Sequence, residues 1–78
     1  MRVSAEFLVE PFREGALGPH VTAALDAIEA AGLTVDIGPF GSQVTGEVEV
    51  VLAALSIALS AAIDAGASRV NLNVSVLT

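Results

Sequence analysis

The chain has 78 residues, enough for one domain, and more than half of them are apolar although only three are aromatic. Nine acids stand against three arginines and there is no lysine, so the basic surface that a phosphate backbone requires is lacking and nucleic acid is excluded as a partner. The absence of cysteine excludes disulfides and thiolate metal sites. Glu6 interrupts what would be the apolar region of a signal peptide. The longest apolar tract, residues 50–63, contains Ser56 and Ser60 and is too short to span a bilayer. A cytoplasmic protein without membrane contact is expected. A core of small aliphatic side chains in so short a chain is marginal, and self-association is a common remedy.

In chain order, Val3, Ala5, Phe7 and Val9 alternate with Ser4, Glu6, Leu8 and Glu10, the pattern of a half-buried strand that Pro11 ends. A loop follows over residues 15–18. Gly18 then suits an N-cap with Pro19 at the first helical position, and Val21, Ala24, Leu25 and Ile28 repeat at helical spacing until Gly32 stops the helix. Leu33, Val35 and Ile37 alternate with Thr34 and Asp36 in a second strand, Gly38-Pro39-Phe40-Gly41 reverses the chain, and residues 42–45 form a short third strand. Gly46-Glu47 opens a long second helix, with Glu47 and Glu49 at the positive end of its dipole. Its main apolar stripe is expected to be Val48, Val51, Leu52, Leu55, Leu59 and Ala62, with Val50, Ile57 and Ala61, and Ala54 nearby, as a second strip opposite. After Gly66, Val70, Leu72, Val74 and Val76 alternate with Asn71, Asn73 and Ser75 in a last strand.

The order β-α-β-β-α-β contains an internal echo, since residues 28–35 (IEAAGLTV) match residues 63–70 (IDAGASRV) in both helix ending and strand start. Two right-handed βαβ units give an α+β, ferredoxin-like sandwich over residues 1–78: a four-stranded sheet with two helices on one face, strands one and three central.

Chemistry is sparse. With no cysteine and one histidine, a nucleophilic triad would have to be built around His20, which reads instead as a first-turn helix residue. The glycines from Gly38 to Gly46 lack the Gly-Lys-Ser/Thr ending of a phosphate loop, and Glu47 and Glu49 diverge on their helix, so no metal site is expected. The sheet face away from the helices is richer. It places Glu6 beside Asn71 and Asn73 on one side and Gln43 and Thr45 on the other, with Leu8 and Leu77 sharing the face. The apolar second strip of helix two and an uncharged last strand after Arg69 point to self-association.

The Val-Glu-Pro-Phe end of strand one, the Gly-Pro-His-Val opening of helix one and its Ala-Ala-Gly-Leu close resemble the small thiamine-binding (YkoF-like) family. So do Gly38-Pro39-Phe40-Gly41-Ser42, Val44, Gly46 and the closing Ala65-Gly66-Ala67-Ser68-Arg69-Val70, and together these cover nearly the whole chain in order. The resemblance implies a ferredoxin-like fold paired into dimers or tetramers. It also implies binding of thiamine or hydroxymethylpyrimidine, its aminopyrimidine part, without catalysis and without a further cofactor. Members commonly carry an acid where this chain has Thr45. Combined with strand parity, the resemblance gives ligand-binding candidates: Glu6, Asn71, Asn73 and Thr45 for the aminopyrimidine edge, Phe40 for stacking, and Gly41 and Ser42 for backbone and hydroxyl contacts.

The alternative is an ACT-like regulatory module that senses an amino acid or other small metabolite at a subunit interface. The chain is expected to stand alone without a catalytic domain, which argues mildly against it. An acylphosphatase-like enzyme would need an arginine in a phosphate cradle, and Arg13 stands beside Glu14 without the glycine-rich surround.

Overall fold

The computed structural model describes residues 1–11, 18–38 and 41–77. The elements are β1 (Arg2–Glu10), α1 (Pro19–Ala30), β2 (Val35–Gly38), β3 (Gly41–Glu47), α2 (Val48–Asp64) and β4 (Arg69–Leu77). They form one antiparallel sheet in the order β2-β3-β1-β4 with both helices on one face, the expected ferredoxin-like βαββαβ arrangement.

Alternation in β1 sets the two faces. Val3, Ala5, Phe7 and Val9 are buried under the helices, whereas Ser4, Glu6, Leu8 and Glu10 lie on the open face. α1 begins on Gly18, whose carbonyl accepts from the Val21 and Thr22 amides, with Pro19 at the first position where its missing N–H costs nothing. It ends as the Gly32 amide closes on the Glu29 carbonyl and Gly32 takes a positive φ of 83°. β3 is longer than the sequence pattern suggests. Its pairing with β1 continues to Arg2↔Glu47, so Gly46 and Glu47, expected to open the second helix, belong to the strand and α2 starts at Val48. A side chain at Gly46 would meet Leu33 and Val51 at 3.2 Å, so the missing Cβ is what lets β3 run under the helix layer there.

The buried face of α2 is rotated from the expected stripe. Val51, Ala54, Leu55, Ala58 and Ala62 are buried, while Leu52 is 47% exposed and Leu59 only half-buried. Ala54, placed near the outer strip by its sequence position, is in the core. The reason is the neighbouring helix: α1 packs closely along α2, and alanines permit an approach that leucines at those positions would block. Val50 and Ile57 remain outside as expected. Glu49 occupies the first turn of α2, but Glu47 makes no capping bond, and its carboxylate accepts from the Met1 amino group at 3.3 Å and faces Arg2 at 3.7 Å.

The helices lie over β1, β3 and the start of β2, and leave β4 largely uncovered. Leu72, Val74 and Val76 point to the helix side opposite Phe7, Ala5 and Val3, yet all three are exposed. Among the described residues no helix is long and apolar enough to cross a membrane.

Gly41 tests the tightest point of the sheet. It has φ 145°, and a Cβ there would lie 2.9 Å from the Phe7 carbonyl oxygen. Gly32 has φ 83° and open space around it. Gly41→Ala is expected to cost about 2–3 kcal/mol and Gly32→Ala about 1 kcal/mol, read as shifts of the urea midpoint. Equal losses would mean that the close approach to Phe7 is unimportant.

Candidate functional site

The pairing registers assemble the open face in transverse rows. Glu6 on β1 is opposite Asn73 on β4 and Gln43 on β3, and Gln43 is opposite Asp36 on β2. One row therefore reads Asn73, Glu6, Gln43, Asp36 across all four strands. The row before it contains Ser75, Ser4 and Thr45, tied to the first by a 2.9 Å hydrogen bond from the Gln43 amide to the Ser4 hydroxyl.

The row beyond explains why a hollow forms. Asn71 is opposite Leu8, and Gly38 is opposite Gly41, which lies against Leu8. Two adjacent positions thus carry no side chain, and the space above them opens onto the polar row. The result is a solvent-open concavity of about 670 Å³, within the size range of small-molecule sites. Glu6, Gln43, Asp36 and Asn73 form its polar wall, with Leu8 and Gly41 on its floor. Lining residues of opposite parity, such as Phe7, contribute main-chain atoms, because successive side chains leave a strand on opposite faces.

Of the candidates named from sequence, Glu6, Gly41, Asn71 and Asn73 line this concavity on the open face. Ser42 touches it but carries a correction. It shares parity with Val44, pairs with Phe7 and is buried on the helix side, so its hydroxyl faces away and only its backbone is available. Thr45 lies one row away, opposite Ser4, and is not part of the lining. Phe40 falls outside the described residues. Asp36 and Gln43 are additions to the candidate set. Strand parity already sets Gln43 beside Glu6, whereas the β2–β3 register that puts Asp36 opposite Gln43 is not readable from the sequence.

The acids differ in their surroundings. Glu10, at the end of β1, accepts from Arg69 Nε at 2.8 Å and from Asn71 Nδ2 at 2.7 Å on the same carboxylate oxygen. Its carbonyl also takes the Ser68 amide at 2.8 Å and the Ser68 hydroxyl at 3.1 Å, which fastens the start of β4. The Asn71 amide nitrogen is therefore already engaged. Glu6 and Asp36 make no side-chain hydrogen bond or ion pair among the described residues, and both are exposed. His20 does not line the concavity and bonds through Nε2 to the Pro11 carbonyl.

This contrast separates folding from binding. Glu6→Gln and Asp36→Asn are expected to leave unfolding stability within about 0.5 kcal/mol, whereas Glu10→Gln costs about 0.5–1 kcal/mol after allowance for solvent screening. Urea denaturation of the three variants checks the order. A loss above about 1 kcal/mol for Glu6→Gln would make that carboxylate a structural group.

A family model described as thiamine-binding protein matches residues 5–78. A domain of unknown function, DUF77, from Bacillus cereus is 25% identical with a TM-score of 0.69, the match covering 95% of this chain and 72% of that one. A protein from Thermotoga maritima, provisionally described as one of thiamine biosynthesis or salvage, is 21% identical with a TM-score of 0.68, covering 96% and 81% of the two chains. A protein from Streptococcus pneumoniae is 26% identical with a TM-score of 0.60, covering 96% and 83%. Among curated proteins none matches this chain significantly.

Proposed function

This chain belongs to the thiamine-binding protein family, and we propose that it binds thiamine or its aminopyrimidine moiety, without catalysis, as a cytoplasmic homo-oligomer. The observation that carries the reading is Glu6 flanked in register by two amides, Gln43 and Asn73, on the wall of an open concavity. An aminopyrimidine edge presents an amino donor beside ring-nitrogen acceptors. A carboxylate takes the first, and a carboxamide can serve both. Leu8 supplies an apolar contact, and the missing side chains at Gly38 and Gly41 leave room beside it for a ring.

The side chains of the wall are carboxylates, amides and aliphatic groups, a set suited to holding a ligand rather than to nucleophilic attack. The exposed strip Leu72, Val74 and Val76 supports self-association. It lies on an edge strand with free backbone groups, the usual template for pairing with a second strand.

A thermal-shift screen against thiamine, hydroxymethylpyrimidine and the common amino acids tests the ligand class. A pyrimidine should raise the midpoint. In calorimetry Glu6→Gln should then weaken thiamine about tenfold, since a charge-assisted hydrogen bond contributes about 1.5–3 kcal/mol. A shift with an amino acid alone would replace this reading with a regulatory module.

Light scattering tests the assembly. The native chain should exceed monomer mass, and Val74→Lys, which puts a charge on the apolar side of β4, should reduce it to monomer. A native monomer would leave the β4 strip without its proposed partner.

A further inference from the structure

We infer that Asp36 is the second anionic contact of the site and the residue that reads the ligand's positive charge, so that the concavity selects a cationic, unphosphorylated ligand; this rests on the binding reading above. Asp36 occupies the β2 end of the four-residue row, directly opposite Gln43 and two strands from Glu6. At the spacing of adjacent strands, the two carboxylates leave the sheet about 9.5 Å apart at the backbone. They are therefore not a chelating pair. Each addresses a different part of a bound molecule.

Glu6 is central and has an amide on either side, which suits it to a hydrogen-bonded ring edge. Asp36 is on the edge strand, with Gln43 on one side and Gly38 two residues along the same face. Its setting offers little further hydrogen bonding, so what it supplies is charge. At the opposite end of the row stands Asn73, which is neutral. The row is thus electrically asymmetric, and a two-ring ligand with one neutral and one cationic ring has a preferred direction along it. With the aminopyrimidine against Glu6 and Gln43, the cationic ring goes toward β2.

The described arginines do not offset this field at close range. Arg69 is engaged with Glu10 at 2.8 Å and Arg2 faces Glu47 at 3.7 Å. Two carboxylates on one wall also repel an anionic ester. A diphosphate on the alcohol beyond the cationic ring would be brought next to Asp36, so the free alcohol is the favoured form.

Calorimetry with thiamine, the neutral hydroxymethylpyrimidine and thiamine diphosphate, on the native chain, Asp36→Asn, Asp36→Glu and Glu6→Gln, tests the assignment. The native chain should bind thiamine at least about tenfold more tightly than its diphosphate. Asp36→Asn should weaken thiamine about fivefold to tenfold, leave hydroxymethylpyrimidine unchanged and narrow the gap to the diphosphate. Asp36→Glu, which keeps the charge, should restore most of the loss. Thiamine affinity should also fall with added salt, less steeply in Asp36→Asn.

If Asp36→Asn binds thiamine as the native chain does while Glu6→Gln is impaired, the inference is overturned and the binding reading stands. Equal weakening toward thiamine and hydroxymethylpyrimidine also overturns it, since Asp36 would then read the pyrimidine. If neither compound binds the native chain, both the reading and the inference fall.

Discussion

β1 is hydrogen-bonded on both edges and used on both faces, and most of the molecule depends on that. Its pairing with β3 runs from Arg2 to Phe7, and its pairing with β4 runs the full strand to Glu10. Because side chains alternate, this fixed backbone commits Val3, Ala5, Phe7 and Val9 to the core and Glu6 and Leu8 to the open face in one step. A slip of one residue would exchange the two sets, putting Glu6 under the helices and Phe7 in water. Burial of the apolar set therefore holds the position of the candidate ligand-binding acid, although Glu6 itself contributes nothing to the core.

The concavity follows from the same register together with two glycines. Gly41 approaches the Phe7 carbonyl more closely than any side chain allows, and Gly38 faces it across the hairpin. Their bare backbone leaves a hollow beside the row of Asn73, Glu6, Gln43 and Asp36. The structural ion pair and the free acids are divided by position. Glu10, at the strand end, is satisfied by Arg69 and Asn71, while Glu6 and Asp36 look into the hollow without partners among the described residues. Unpaired acids in water cost little, and they are available to a cation that arrives from outside.

The helix layer shows what small side chains do to a short sandwich. Alanines at 54, 58 and 62 are buried in α2, and the two helices draw together over β1 and β3. The layer that results covers β4 only at Val70. Its Leu72, Val74 and Val76 keep the alternation of a buried strand while remaining exposed, and Leu52 of α2 is left outside as well. A pattern of burial without a covering element within the chain is the physical basis for proposing that a second copy supplies it.

Much of this was legible in the sequence. Period-two alternation in β1 and β4, helical spacing in α1, the Pro19 start and the glycine stops fix the element order, and the echo between residues 28–35 and 63–70 fixes the two-unit topology. These are local signals, carried by residues a few positions apart. The face of α2 was misread at Leu52 and Ala54, because periodicity shows that a helix has apolar sides but not which side a neighbouring helix will approach. Parity alone likewise puts Glu6, Asn73 and Gln43 on one face, while the Ser42 hydroxyl contact, which the family resemblance suggested, goes against that parity, and Asp36 joins the row only through the β2–β3 register. The sequence determined the strands, the helices and the polarity of each face. Only the tertiary structure decided the register, and with it which residues 30 or more positions apart stand side by side. The pairings of β1 with β3 and β4 join distant parts of the chain, and no local pattern records their register.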